Sequence, residues 1–146
     1  MSSVRSAYRL LSVFAALLLL LASLTACSGG ITREEAKTAM DALLSALDNE
    51  NYTEAAALYH PDAAMTENLL AAFAEQVKTK VGIDLTEGAV VEKITGMSAS
   101  YYDSNVDGSR YALTARIKAG DKTADLTVEV IRNDKGYGIF KVECNP

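Results

Sequence analysis

One histidine, His60, serves the whole chain of 146 residues, and only two cysteines, Cys27 and Cys144, accompany it. Any Ser-His-Asp or Cys-His scheme must therefore use His60, and no nucleophile motif of the G-x-S-x-G kind occurs. With one histidine and so few cysteines, a structural zinc site of the usual Cys/His type lacks its ligands. His60 precedes Pro61 at the end of a predicted helix, where a basic side chain is ordinarily a surface or capping group. Asp62 lies near it, but a catalytic dyad would need both in a cavity. Acidic residues are missing from the start of the chain: none precedes Glu34. Internal repeats and low-complexity tracts are absent as well.

What the amino-terminal region does contain is a basic start, Arg5 and Arg9, followed from Leu10 to Leu24 by apolar or small residues broken only by Ser12 and Ser23. A basic region, an apolar stretch of about 7–15 residues and a small-residue cleavage site define a secretory signal peptide. A spanning helix usually needs about 20 apolar residues, more than this stretch offers. The run Leu24-Thr25-Ala26-Cys27 resembles the lipobox of bacterial lipoproteins: an apolar residue three before the cysteine, then small residues. That resemblance implies a diacylglycerol thioether on Cys27, cleavage between Ala26 and Cys27, and in many bacteria acylation of the new amino terminus. One acyl chain binds a membrane marginally, whereas two or more anchor stably. The expected organisation is a signal peptide over 1–26, a lipidated cysteine and flexible tether over 27–31, and one domain over 32–146. The protein would then sit on the extracytoplasmic face of the cell membrane.

Loss of residues 1–26 removes two of fourteen basic side chains and none of nineteen acidic ones, leaving a net charge of −7 on 120 residues. Such an acidic domain argues against nucleic acid and against docking on anionic headgroups. A thioether on Cys27 would leave Cys144 alone, so no internal disulfide is expected, and Cys144 reads as a buried thiol on a strand.

Thr32 and Glu35 have the spacing of a capping box, and Ala36, Met40, Leu43, Leu44 and Leu47 follow as one helical stripe. Asn51 and Glu54 begin a second helix from Tyr52 to about Tyr59, with Tyr52, Ala55, Ala56 and Tyr59 on one face and Pro61 as its stop. Thr66 caps a third, from about Glu67 to Lys80, with Leu69, Leu70, Phe73, Val77 and Val81 as its stripe and Gly82 as terminator. The rest reads as strands. Val90 to Tyr102 is the least regular, with Gly96 as a bulge position, and Asp107-Gly108 signals a hairpin. Tyr111, Leu113, Ala115 and Ile117 alternate with polar residues. After a turn at Gly120-Asp121, Ala124, Leu126, Val128 and Val130 do the same. After Asn133 to Gly136, Phe140, Val142 and Cys144 share a face. Period-2 alternation with one polar face predicts an antiparallel sheet covered on one side. On the outer face Ile131 is the apolar exception.

Three helices followed by a meander of about four strands is an α+β layout. Its element order, with the stretch Asp48-Asn49-Glu50-Asn51-Tyr52-Thr53-Glu54-Ala55-Ala56, resembles the nuclear transport factor 2-like, cystatin-like superfamily. The resemblance implies N-terminal helices packed on a curved sheet in a cone that can enclose a pocket. It implies no single activity, because that superfamily includes enzymes, binders and scaffolds.

Two local patterns invite chemistry. Asp103-Ser104-Asn105-Val106-Asp107-Gly108 matches the first half of a calcium-binding EF-hand loop, but Thr114 stands where the bidentate glutamate belongs and the flanks read as strands. A polar hairpin loop is the expected reading for Asp103, Asn105 and Asp107. Tyr101, Tyr102, Tyr111 and Tyr137 fall on strands, where inward hydroxyls can line a pocket. An isomerase or dehydratase would also need an inward aspartate, and Asp125 falls on the polar face. The sequence points to no catalytic residues, metal or cofactor. It points to two partners: the membrane through Cys27, and a small molecule or envelope protein. The leading expectation is a non-enzymatic, membrane-anchored binding domain. An isomerase-like enzyme and a structural envelope component are the alternatives.

Overall fold

The computed structural model describes residues 30–100 and 107–146. Cys27, Tyr101, Tyr102, Asp103 and Asn105 lie outside the described residues. Helix α1 (Arg33–Asp48) starts from the predicted capping box: the Thr32 hydroxyl accepts from the Glu35 amide at 3.2 Å, and Glu35 Oε2 accepts from the Thr32 amide at 2.8 Å. These bonds satisfy two of the amides that every helix start leaves without a partner. The whole predicted stripe of α1, Ala36 to Leu47, is buried. Helix α2 (Tyr52–Ala57) is capped by Asn51, whose side chain also bonds Glu54 at 2.8 Å. It ends earlier than predicted. Tyr59 leaves the helix and forms a parallel bridge with Ile139 instead, and Pro61 opens a short 3₁₀ helix (Pro61–Ala63). Helix α3 (Glu67–Lys80) starts at Thr66 as predicted and keeps most of its predicted stripe: Leu70 and Val77 are buried together with Ala74, Phe73 and Val81 pack partly buried against the core, and only Leu69 departs, 54% exposed. The helix packs chiefly on α2, so it needs a narrower stripe than a helix lying on a sheet.

Strands β1 (Val90–Ser100), β2 (Ser109–Ala119), β3 (Lys122–Asn133) and β4 (Gly136–Asn145) form one antiparallel sheet in sequence order. It is open, with β1 and β4 at its edges, and is not a closed cone. Helix α1 lies on the β1–β3 side of it. The inward residues of β2 and β3 are those the alternation predicted, from Tyr111 to Ile117 and from Ala124 to Val130, all buried. Gly120-Asp121 and Asp134-Lys135 occupy two-residue turns, the first with φ of 60° at Gly120, as a hairpin turn with glycine in its first central place requires. Among the described residues no helix is long and apolar enough to cross a membrane.

Several strand details differ from the sequence reading. Ser100 pairs with Arg110, so Asp107-Gly108 does not by itself join β1 to β2 as a two-residue turn. Register shifts put extra residues at Glu92 and Thr95 in β1, next to the expected Gly96. A third shift in β4 leaves Phe140 unpaired. Ile139 takes the inward place, fully buried, and Phe140 lies beneath the Arg110 guanidinium, 5.0 Å from its centre. One extra residue reverses the facing of everything beyond it, which is why Phe140 parts from Val142 and Cys144. Ile131, expected on the exposed face, is buried. Cys144, expected buried, is only half-buried because it lies on the last strand at the sheet edge, and burial pushes its thiol up to about 11.

The loop from Val81 to Ala89 also fills the core. Ile83 and Leu85 are fully buried there. Asp84 between them accepts from the Thr86 hydroxyl at 2.7 Å and amide at 2.9 Å and pairs with Lys78 at 2.8 Å. Lys78 first, then Thr86, hold that carboxyl down to about 2.

Candidate functional site

The amino-terminal end of the domain is where chain segments far apart in sequence converge. Glu35, besides closing the capping box, accepts from Arg132 Nη2 at 2.6 Å through its other oxygen. The Arg132 guanidinium lies 5.0 Å from the centre of the Tyr137 ring, and the Tyr137 hydroxyl donates to the Glu35 carbonyl at 3.2 Å. The first turn of α1 is thereby clamped to the end of β3 and the start of β4. Nothing local predicts this pairing, since Glu35 and Arg132 lie 97 positions apart.

Burial works to raise the Glu35 pKa. The Thr32 amide, Arg132 and the Thr32 hydroxyl together outweigh it, and the carboxyl sits below the ordinary glutamate value. Folded Glu35 thus resists protonation longer than unfolded Glu35. Its stabilisation is present above pH 4.5 and is lost as the pH falls from there through the lower folded value. Substitution E35Q is expected to lower stability at neutral pH by about 1 kcal/mol, a figure kept small by solvent screening. It should also flatten the decline in urea midpoint below pH 4.5. An unchanged acid limb in E35Q would show that the clamp contributes nothing.

His60 closes a second joint at the same end. It is the one buried polar residue among the described residues, 1% exposed. Burial is the difference from the sequence reading, while the capping half of that expectation holds. Nδ1 accepts from the Asp62 amide at 3.1 Å and caps the 3₁₀ helix. Nε2 must then carry the proton, and it donates to Asn133 Oδ1 at 2.8 Å. Asn133 in turn donates from Nδ2 to the Asp107 carbonyl at 3.0 Å, and its Oδ1 accepts from the Lys135 amide at 3.0 Å. Asp62 pairs with Lys135 at 2.9 Å, which holds its carboxyl below the usual range. The histidine's two nitrogens are therefore occupied by structure, and its neighbouring carboxylate pairs with a lysine through Oδ1 while Oδ2 stands 3.8 Å from Nδ1, beyond hydrogen-bond distance. The His60 amide donates to the Ile139 carbonyl at 2.8 Å, and the Ile139 amide donates to the Leu58 carbonyl at 2.9 Å, so residues 58–60 dock on the edge of β4.

The tyrosines are divided between structure and core. Tyr137 serves the clamp, and burial pushes its hydroxyl up to about 12. Tyr111 is buried and donates to Met97 Sδ at 3.3 Å. Tyr59 is buried with its hydroxyl unpaired, and burial raises its pKa. Asp125 lies on the polar face, held by Arg116 in a two-pronged pair at 2.7 and 3.0 Å. Among the described residues no aspartate or glutamate is buried as a whole, and the one carboxylate oxygen that is buried without a hydrogen bond, Glu129 Oε1, pairs with Arg110 at 2.7 Å. No group of three or more His, Cys, Asp or Glu side chains among the described residues is arranged to hold a metal.

The surface does offer a groove. It has a volume of about 420 Å³ and runs between one side of α1 (Lys37, Asp41, Leu44, Ser45 and Asp48) and the segment from Gly88 to Val91. Asp48 Oδ1 accepts from the Gly88 amide at 2.6 Å and closes its far end. Lys37 and Asp41 pair across one helical turn at 2.6 Å. The walls thus combine aliphatic surface from Leu44, Ala89, Val90 and Val91 with charged and hydroxyl groups, and they hold no catalytic pair. Compared with known proteins, the chain matches no protein family, no curated protein and no solved structure.

Proposed function

We propose that the chain is a membrane-anchored, extracytoplasmic lipoprotein whose domain binds a small molecule or an envelope protein without catalysis, using the groove between α1 and β1. The observation that carries the anchoring is the run Leu24-Thr25-Ala26-Cys27 at the end of an apolar stretch, only a few residues ahead of the clamped helix start at Thr32. Support for binding comes from the groove's mixture of aliphatic and polar walls, which suits recognition. The element order supports kinship with the nuclear transport factor 2-like, cystatin-like superfamily as part of the same proposal, in a form whose sheet stays open.

Mass spectrometry of the protein extracted from a bacterial membrane tests the anchoring. The expected product begins at Cys27 and carries a diacylglycerol and an acyl chain. A product that begins elsewhere, or a mature chain with an unmodified Cys27, would refute the reading.

A further inference from the structure

The two ends of the domain are chemically and topologically distinct. One end carries Thr32, the β3–β4 turn at Asp134-Lys135 and Asp107. The other carries the β2–β3 turn at Gly120-Asp121 and the closed end of the groove at Asp48 and Gly88. The 12 residues of β3 separate the two turns by about 36–40 Å, at roughly 3.3 Å each. The link from Cys27 to Thr32 spans at most about 18 Å, because extended chain covers no more than about 3.6 Å per residue. It joins the domain at a helix start fixed by the capping box and by Arg132, so the domain cannot gain length there by unravelling without breaking those bonds.

We infer that the domain stands on the membrane on its Thr32–Lys135 end, with the β2–β3 turn and the far end of the groove directed away from the bilayer. This rests on the lipoprotein reading above. The inverted pose would lift Thr32 by at least the length of α1, about 24 Å for its 16 residues at roughly 1.5 Å each, beyond the reach of the link. Electrostatic docking is not what holds this end down. Arg33, Arg132 and Lys135 there are outnumbered by Glu34, Glu35, Asp62, Asp107 and Asp134, so anionic headgroups gain nothing from touching it. The anchor alone sets the height, and the partner for the near end is the hydrated surface of a phospholipid bilayer. A ligand or envelope protein would reach the groove from the side or from outside.

The chain has no tryptophan, so a single one can report height. Asp134→Trp and Asp121→Trp place it at exposed positions in the two turns. Each full-length variant, purified from membranes and reconstituted in phosphatidylcholine vesicles with a dansyl-headgroup lipid, is read by energy transfer from tryptophan to dansyl on the outer leaflet. Transfer several-fold stronger from Asp134→Trp is expected, and a long Gly-Ser insertion after Gly30 should shrink that difference. Equal transfer, or stronger transfer from Asp121→Trp, in chains that do carry lipid would overturn the orientation while leaving the anchoring intact. A chain whose mass shows no lipid would overturn both, and mass spectrometry of the same sample separates the two results.

Discussion

Replacing Gly138 with alanine is expected to be among the most damaging single changes in the domain. A β-carbon there would press on the His60 amide nitrogen and lie 2.7 Å from the Tyr59 carbonyl carbon and 2.9 Å from the His60 α-carbon. All three are backbone atoms, so no flexible side chain can yield. The segment 58–60 would have to leave β4, giving up the two hydrogen bonds between Leu58, His60 and Ile139 and opening the pocket that hides the His60 ring. Overpacking of this kind, with lost buried hydrogen bonds, amounts to roughly 2–4 kcal/mol, against a total stability of about 5–15 kcal/mol for a domain. Thermal unfolding should fall by about 10 °C or more. Gly96→Ala is the control. Its β-carbon meets only the Thr114 side chain, at 3.6 Å, so a shift within about 1 kcal/mol is expected. If Gly138→Ala unfolded like Gly96→Ala, the docking of residues 58–60 on β4 would be wrong.

Cys27→Ser is expected to have an effect of another kind, all-or-none in location and absent from folding. Serine offers no sulfur for a thioether, so the lipid cannot attach and the cleavage that follows attachment cannot proceed. In cells fed an alkyne fatty acid, the parent chain should carry label at its mature size, and C27S should remain unlabelled at precursor size, still bearing residues 1–26. Each buried methylene contributes about 0.8 kcal/mol, so two acyl chains supply well over 10 kcal/mol of attachment. A version of C27S exported with an ordinary cleavable signal should therefore be freely soluble. Its unfolding midpoint should nonetheless equal that of the parent, because Cys27 lies ahead of Ile31, which packs on the core, and of Thr32, which caps α1. Label on C27S, or membrane retention of its exported form, would refute lipidation at this residue.

The parts of this fold that were legible in the sequence are those written in local signals. Thr32 with Glu35, Asn51 with Glu54, and Thr66 are caps a few residues from their partners, and all three start helices as read. The alternation of β2 and β3 is equally local, as are the turns at Gly120-Asp121 and Asp134-Lys135. What escaped depends on distant contact. Tyr59 and His60 read as a helix end because the edge of β4 that captures them comes some 80 positions later. Phe140 and Ile139 are both apolar, so nothing in their identities says which of them an unpaired residue will turn outward. Ile83 and Leu85 alternate around Asp84 in a stretch with turn composition, yet both fill the core. At the candidate site, the capping half of Glu35 could be read and the half that grips Arg132 could not. The groove escaped altogether, because it exists only where α1 meets the start of β1.

The irregular edges of the sheet bear on how neighbouring copies would coexist. Molecules anchored as proposed would drift in a plane and collide side to side, at local concentrations a free protein seldom meets. A straight edge with evenly spaced unpaired amides is a template for a neighbour's strand. Here Glu92 and Thr95 interrupt the spacing along β1, and residues 58–60 already occupy part of the β4 edge, whose remainder carries Lys141 and Glu143. Neither side offers a long matching run of donors and acceptors. Crowded copies would slide past one another instead of zippering into continuous sheets.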